Sequence, residues 1–184
     1  IERIIRATGF TIAHKTTEAK RDAVNVSYED LHLSERSLDF LRNRELRTLW
    51  KHQYLAIKQA KEGHNVCVTT STSSGKTEIF QIAAIEILEK KPTAKILAIY
   101  PMKALNRQQV ERWEKTGFNV GKIDGDTEWN NRADILRNSR IIVMTPDVMH
   151  TFLLGKLNND NIGNTICDFI KNTELVIIDE LHLF

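Results

Sequence analysis

The chain has 184 residues, of which 41% are hydrophobic and 27% are charged, and its formal net charge is +2. This is the composition of an ordinary globular domain with one sizeable core, which excludes the disordered and fibrous classes. The small net charge also excludes a strong overall positive field, so any contact with nucleic acid must come from charges placed locally on one face. No apolar run reaches the length of a membrane span and no signal peptide is visible, which predicts a cytoplasmic protein without a membrane partner.

Residues 1–48 are predicted to form an N-terminal extension or accessory subdomain, and residues 49–184 are predicted to form the main domain. Within this extension, leucines at helical spacing and a capping residue at Ser34 predict a helix over residues 34–49. The main domain begins with a segment that carries Gln53. Judged by residue type alone, Gln53 is a polar position on an amphipathic helix.

A loop of small hydroxyl residues joins a predicted strand to a predicted helix. Residues 66–70 are apolar or β-branched enough for a buried strand, in which Cys67 is expected to be small core filler. Residues 78–90 repeat apolar side chains at helical spacing. Residues 70–77 lie between them and read Thr-Ser-Thr-Ser-Ser-Gly-Lys-Thr. Strand, small-residue loop and helix are the context that a phosphate-binding loop requires.

This loop predicts a site for ATP and Mg²⁺. Backbone N–H groups of the loop and of the helix start would point at the phosphates. Lys76 would reach the β- and γ-phosphates, and the Thr77 hydroxyl would ligate Mg²⁺. The residues predicted to bind the nucleotide here are Thr72, Ser73, Ser74, Gly75, Lys76 and Thr77. Thr70 stands where the pattern G-x-x-x-x-G-K-[ST] has glycine, so a turn that merely caps a helix is the alternative.

The last predicted strand, residues 174–178, ends in Asp179 and Glu180. Its continuous apolar run predicts a strand that is buried on both faces. A carboxylate at the end of such a strand is well placed to hold Mg²⁺ opposite the phosphate loop, which assigns Asp179 to the metal. Glu180 would orient and deprotonate the attacking water. The predicted catalytic residues are therefore Lys76, Asp179 and Glu180. The alternative for the two carboxylates is that the acidic end of the strand simply faces solvent.

Three further apolar runs predict strands in the middle of the chain, each followed by polar residues. The strand over residues 95–100 precedes a helix that carries Lys103 and Asn106. The next strand leads into a turn at residues 124–127. Thr145 follows the third strand as a natural N-cap, with proline at the first helical position.

In their order and spacing, these motifs resemble the first RecA-like domain of superfamily 2 helicases, the DEAD/DEAH-box-like group, from about residue 49 to residue 184. The resemblance implies that Gln53 reads the adenine edge with its amide. It implies that Lys103, Asn106 and Thr145 contact the sugar-phosphate backbone of one nucleic-acid strand. It also implies that His182, in the Asp-Glu-Leu-His segment, couples the ATP state to the nucleic-acid site.

The same resemblance extends to a subfamily and to missing partners. The Met-Lys-Ala-Leu and Asp-Gly-Asp-Thr segments look most like DNA-repair helicases of the mitomycin-repair-factor type, so DNA is expected rather than RNA. The chain is expected to be a fragment that stops after the Walker B strand, with a second RecA-like domain of the same parent chain as its partner. Alone it is expected to hydrolyse ATP poorly, and to leave an apolar edge at residues 176–178 uncovered.

Strands that alternate with helices predict an α/β fold, here a RecA-like P-loop three-layer sandwich with a mostly parallel sheet. Ligands of such sheets bind at the carboxyl ends of the strands. The strands are predicted at residues 66–70, 95–100, 119–123, 141–144 and 174–179, and one helix is predicted at residues 129–138.

Three functions are compatible with the sequence. The first is the ATP-binding motor domain of an ATP-dependent helicase or translocase, an ATP hydrolase that acts on nucleic acid. The second is a P-loop ATPase or kinase that is not a helicase. The third is a nucleic-acid-binding module whose phosphate loop is degenerate and does not hydrolyse, as the threonine at residue 70 suggests. The segments that resemble nucleic-acid contacts favour the first.

Overall fold

The computed structural model of the protein describes residues 24–70, 74–101 and 103–181. The strands are β1 (Asn25–Val26), β2 (Leu49–Trp50), β3 (Lys95–Ile99), β4 (Val120–Ile123), β5 (Ile141–Met144) and β6 (Thr173–Ile178). The α-helices are α1 (Glu35–Asn43), α2 (Lys51–Lys61), α3 (Lys76–Lys90), α4 (Lys103–Glu114), α5 (Trp129–Asn138), α6 (Pro146–Val148) and α7 (Gly163–Asn172). A 3₁₀ helix spans Glu29–Leu31, and a π-helix spans Met149–Leu154 directly after α6.

Four strands form one parallel sheet in the order β4-β5-β3-β6, and β1 and β2 form a separate antiparallel pair. In the register of the parallel sheet, Ile96 lies opposite Ile141 and Ile99 lies opposite Met144. Parallel neighbours need crossover connections, and α4, α5 and α7 supply them between successive strands. The predicted α/β class with a parallel sheet is confirmed.

The two central strands explain why the sheet is covered on both faces. Every residue of β5 and all but the first residue of β3 are buried, as near-continuous apolar runs predict. Alternate side chains of β3 enter different cores, with Leu97 on one side and Ile96 on the other. The first core includes residues from α5, α7 and the π-helix, whereas the second includes residues from α3 and α4. The result is a helix–sheet–helix sandwich.

The strand predicted for residues 66–70 is wrong, because these residues pair with no strand among those described. Cys67 is exposed rather than part of the core. Residues 66–70 and β6 instead line a common cavity of about 970 Å³, which also reaches Lys76 and Phe80. Without a neighbouring strand at hydrogen-bonding distance, apolar and β-branched composition is not sufficient to define a strand.

Burial of β6 on both faces was also a wrong prediction. Val176 is 51% exposed and Ile178 is 43% exposed, while Ile177 between them is buried against the sheet. The reason is that β6 lies at the edge of the sheet and pairs only with β3 among the described strands. The apolar edge expected at residues 176–178 is therefore present on this surface.

The helix predicted over residues 34–49 is shorter than expected and ends at Asn43. Glu45 adopts a left-handed backbone with φ 57°, and the Leu46 N–H donates to the carbonyl of Leu41 at 3.0 Å. This is the hydrogen-bond pattern that terminates many helices. The predicted cap is confirmed, because the Ser34 hydroxyl accepts a hydrogen bond from the Ser37 N–H at 3.3 Å.

Helix α1 packs onto the main domain through a buried carboxylate as well as through apolar side chains. Glu86 of α3 is only 4% exposed. Its carboxylate accepts hydrogen bonds from Ser34 N, Ser37 Oγ and Lys61 Nζ, each at 2.7 Å. Helices α1, α2 and α3 are thereby joined at one point. Among the helices that the structure describes, none has the length and apolar character needed to cross a bilayer.

Candidate nucleotide-binding cleft

A cleft of about 500 Å³ lies where α3 begins and β6 ends. Its lining residues are Arg44, Ser74, Gly75, Lys76, Thr77, Glu78, Gln109, Arg112, Asp179 and Glu180. The two motifs that the sequence analysis singled out, at the start of α3 and after β6, thus line the same cleft. It lies at the carboxyl end of a strand of the parallel sheet, where ligands of such folds bind.

The sharp entry into α3 depends on Gly75. This residue is the N-cap of α3 and has a left-handed backbone with φ 76°. A Cβ atom added there would lie 2.2 Å from Gln53 Nε2, which is closer than two such atoms can approach. Glycine is therefore favoured twice, because it suits the left-handed backbone angle and because a Cβ atom would have to displace the Gln53 amide from the Gly75 carbonyl.

We expect Gly75→Ala to lower the free energy of unfolding by about 2 kcal/mol or more, since it combines left-handed strain of about 1–2 kcal/mol with a steric clash. Gly63→Ala is the matched control, because Gly63 has φ 85° but open space around its Cβ position. It is expected to show only the backbone strain. Urea unfolding of both variants measures the difference, and equal losses would contradict a steric role for Gln53.

Thr70, which replaces the usual glycine, is accommodated without strain. Among described residues other than glycine, positive φ occurs only at His32, Glu45 and Glu180, so Thr70 does not need a left-handed backbone. Its hydroxyl is hydrogen-bonded to Ser74 Oγ at 2.6 Å, and its carbonyl accepts a hydrogen bond from Lys76 Nζ at 3.1 Å. The threonine thus closes the loop across its ends.

The acidic end of β6 faces the loop across the cleft. Asp179 continues the sheet, since its N–H donates to the carbonyl of Ile99 at 3.1 Å. Glu180 has φ 51°, a left-handed conformation that costs energy for a residue with a side chain and is common at functional sites. Its N–H donates to Asp179 Oδ1 at 3.1 Å, which orients that carboxylate.

Burial raises the pKa of Asp179 above its ordinary value, and the neighbouring charge of Glu180 acts in the same direction. The Glu180 N–H and the charges of Lys76 and Arg112 oppose this rise without cancelling it. A carboxylate that is short of solvation and positive charge gains from a bound cation. The donor set of the cleft therefore fits Mg²⁺ with Asp179 and Thr77, and it fits phosphates with Lys76 and the N–H groups that begin α3.

Four cleft residues, Arg44, Glu78, Gln109 and Arg112, were not predicted from the sequence. Gln109 and Arg112 are three residues apart on α4, so they share one helix face, and that spacing was the available signal. Gln109 is buried, and its Oε1 has no hydrogen-bond partner among the described residues. Arg44 lies just after α1 and forms a 2.6 Å ion pair with Glu78. No local pattern in the sequence connects Arg44 with the loop.

Gln53 is close to the loop but does not line the cleft. Its Oε1 accepts a hydrogen bond from Trp50 N at 2.9 Å, and its Nε2 donates to the carbonyl of Gly75 at 3.0 Å. Nearby, the His52 ring nitrogen Nε2 donates to the carbonyl of Ser74 at 2.9 Å. The start of α2 is thus bonded twice to the loop. Recognition of adenine by Gln53 stays a prediction.

The residues predicted to contact nucleic acid are placed only in part. Thr145 is buried at the end of β5 and occupies the N-cap of α6, but its side chain makes no capping hydrogen bond. The carbonyl of Thr145 accepts the first hydrogen bond of the helix, from the Met149 N–H at 2.9 Å. The predicted site residues Thr72, Ser73 and His182 and the side chains of Lys103 and Asn106 lie outside the described residues.

The turn after β4 is closed by its own hydrogen bonds. Asp124 is buried, and Oδ1 accepts from the Asp126 N–H at 3.1 Å and from the Thr127 hydroxyl at 3.0 Å. Lys122 Nζ lies 2.8 Å from Oδ2. Burial alone would raise the pKa of Asp124, but these partners outweigh it, so that pKa lies below its ordinary value. The turn predicted here is confirmed, and its carboxylate is fully occupied.

The parallel sheet, its two helical layers and the cleft at the carboxyl edge define a RecA-like α/β domain. The sequence profile described as DEAD/DEAH box helicase matches residues 50–184. The chain belongs to the DEAD/DEAH box helicase family.

Individual relatives agree with this family. The ATP-dependent helicase HRQ1 of Saccharomyces cerevisiae is 37% identical over 148 residues, which are 76% of this chain and 13% of that protein. The ATP-dependent DNA helicase Hel308 of Pyrococcus abyssi is 34% identical over 116 residues, which are 58% of this chain and 16% of that protein. The chain thus spans less than a fifth of the length of either relative.

A solved structure shows the same fold. The crystal structure of the DUF1998 helicase MrfA bound to DNA and AMPPNP superposes with a TM-score of 0.76 at 24% identity. The match covers 88% of this chain and 23% of the MrfA chain. The resemblance to a helicase of the mitomycin-repair-factor type therefore holds at the level of the fold.

Proposed function

We propose that this chain is the ATP-binding motor domain of an ATP-dependent helicase or translocase, and that it binds Mg-ATP and one strand of nucleic acid. The observation that carries the proposal is the single cleft lined by Lys76 and Thr77 on one side and by Asp179 and Glu180 on the other. An incidental helix cap at residues 74–77 gives no reason for two carboxylates to lie across from it.

Each cleft residue has a chemical task in this proposal. Lys76 would exchange its hydrogen bond with the Thr70 carbonyl for the β- and γ-phosphates. Thr77 and Asp179 would hold Mg²⁺, which supplies positive charge for the phosphate oxygens. Glu180 would orient a water molecule and accept its proton as the water oxygen bonds to the γ-phosphorus. The bond from that phosphorus to the bridging oxygen breaks, leaving ADP and inorganic phosphate.

The nucleic-acid side of the proposal rests on residues that follow β3, β5 and β6 in the sequence. Lys103, Asn106 and Thr145 would contact phosphates of one strand, and His182 would couple that site to the nucleotide. DNA is favoured over RNA, because Hel308 is named a DNA helicase and MrfA was crystallised with DNA. A second RecA-like domain as partner and a cytoplasmic location stay predictions.

The proposal is tested by the Mg²⁺ dependence of ATP binding. We expect Asp179→Asn to reduce the gain in affinity that Mg²⁺ gives a fluorescent ATP analogue by about tenfold, or ~1.4 kcal/mol. Asp168→Asn, an exposed aspartate on α7, is the matched control and should retain the full gain. If Mg²⁺ strengthens binding equally in the wild type and in Asp179→Asn, Asp179 is not the metal ligand.

The gain in affinity from Mg²⁺ is expected to change with pH in a definite direction. Because the pKa of Asp179 is raised, the carboxyl group takes up a proton at a higher pH than an ordinary aspartate, and the gain from Mg²⁺ is lost as the pH falls through that pKa. Since a raised pKa means that the ionised carboxylate lowers stability at neutral pH, Asp179→Asn is expected to be at least as stable as the wild type. Weaker binding with unchanged stability then separates ligation from misfolding.

A further inference from the structure

Trp129 is a large aromatic side chain that the proposed function leaves unused. It is the first residue of α5 and 47% of its surface is exposed. Its ring packs edge-to-face on buried Phe152, with centroids 5.5 Å apart and an interplanar angle of 83°. The indole is thus held in place by the core without being part of it, which leaves part of its surface open to a ligand.

Two cations flank the indole. The Arg132 guanidinium lies 5.2 Å and Lys156 Nζ lies 5.7 Å from the Trp129 ring centroid, both within the range of cation–π attraction. Arg132 is fixed by the turn after β4, because Nε donates to the Thr127 carbonyl at 3.1 Å and Nη2 donates to the Asp124 carbonyl at 3.2 Å. This anchoring keeps the guanidinium beside the ring.

The charge of this aromatic–cation cluster is positive and available. Among the salt bridges formed by described residues, none includes Arg132 or Lys156. Glu128, next in sequence to Trp129, accepts a hydrogen bond from the neutral amide of Asn131 at 3.3 Å and keeps its negative charge, so Glu128, Arg132 and Lys156 together carry one net positive charge. A ligand that approaches the indole therefore meets positive charge on two sides.

The cluster also adjoins the edge of the sheet where the proposed phosphate contacts lie. The turn that anchors Arg132 follows β4, and Phe152 belongs to the π-helix that continues from Thr145 and α6 at the end of β5. A π-helix widens the helical turn and is frequent at functional sites. The indole is thus connected on both sides to elements that begin at carboxyl ends of neighbouring strands.

We propose that Trp129, flanked by Arg132 and Lys156, is a stacking platform for a base of a single nucleic-acid strand. The proposal rests on the proposed function and names the residue that contacts a base, in addition to the residues expected to contact phosphates. An indole face stacks on any base, and here the base would replace Lys156, the flexible one of the two cations, over the ring. The displaced ammonium and the fixed Arg132 guanidinium would then neutralise neighbouring phosphates. Trp129 and Arg132 are residue types that protein interfaces also favour, so Lys156 is the member of the cluster that points to nucleic acid, because interface centres are depleted in lysine.

The test uses a labelled single-stranded oligonucleotide of about 15 thymidines, a length that matches typical binding sites. Fluorescence anisotropy compares the wild type with Trp129→Ala, Trp129→Phe and Leu154→Ala at low salt. Leu154 is a matched control because it is also 47% exposed and lies on the adjoining π-helix. We expect Trp129→Ala to weaken binding roughly fivefold to thirtyfold, Trp129→Phe to lose less, and Leu154→Ala to stay close to the wild type.

A second readout distinguishes stacking from a loss of charge. The dependence of affinity on salt concentration should be the same in the wild type and in Trp129→Ala, because no phosphate contact is removed. If the wild type binds the oligonucleotide and Trp129→Ala binds equally well, the platform is overturned while the proposed function stands. If the wild type does not bind at all, both the platform and nucleic-acid binding by this chain are overturned.

Discussion

Replacing Lys76 with alanine is expected to weaken the binding of Mg-ATP by at least about tenfold, and to leave the fold intact. The Lys76 ammonium lines the cleft opposite Asp179, and a hydrogen bond between an ammonium and a phosphate contributes about 1.5–3 kcal/mol. The Thr70 carbonyl, which accepts from Lys76 in this structure, would remain in contact with water after the substitution. Titration of a fluorescent ATP analogue with Mg²⁺ measures the effect.

Lys58→Ala is the control for this experiment, because Lys58 is an exposed lysine on α2 outside the cleft. It removes the same charge and should bind the analogue like the wild type. Equal binding by the wild type, Lys58→Ala and Lys76→Ala would show that the loop does not hold the nucleotide. That outcome would favour a nucleic-acid-binding module with a loop that does not hydrolyse.

The second large effect concerns stability. We expect Glu86→Ala to lower the free energy of unfolding by about 3–5 kcal/mol, since it removes one partner of a buried ion pair and leaves Ser34 N and the Ser37 hydroxyl without their acceptor. Glu89→Ala is the matched control one turn further along α3. Its ion pair with Arg36 is exposed, so the loss should stay below about 1 kcal/mol. Urea unfolding at neutral pH measures both.

The pH dependence of this stability follows from the pKa of Glu86. Burial by itself raises that pKa, but the hydrogen bonds from Lys61, Ser34 and Ser37 outweigh burial and hold it below the ordinary value. The stabilisation is therefore complete above the ordinary pKa and is lost as the pH falls through the lowered one. The difference between the wild type and Glu86→Gln should shrink over that range, and a constant difference would contradict an ionised Glu86.

The elements that the sequence predicted correctly are those specified by their own residues. The bounds of β5 and α5 agree with residues 141–144 and 129–138, because each is a compact run whose periodicity and flanking turns are local. The loop and the acidic strand end were both identified from local motifs and do line one cleft, although the strand expected before the loop does not form.

The features that were missed depend on distant partners. Residues 66–70 have strand composition, but whether a strand forms is decided by a neighbour to pair with, and β6 does not pair with them. Glu86 reads as an ordinary polar position of α3, yet its partners Lys61 and Ser34 come from 25 and 52 residues away. Neither the missing strand partner of residues 66–70 nor the distant partners of Glu86 leave a periodic signal in the sequence.

The two hydrogen bonds between the start of α2 and the loop make these segments move together. The side-chain amide of Gln53 accepts a hydrogen bond from the Trp50 N–H and donates one to the Gly75 carbonyl. The His52 ring donates a hydrogen bond to the Ser74 carbonyl. Trp50 in turn belongs to β2, where it lies opposite Asn25 of β1 in the antiparallel pair. A rotation of the Ser74 and Gly75 peptides would therefore break these hydrogen bonds unless the start of α2, and β2 with it, shifted in the same direction.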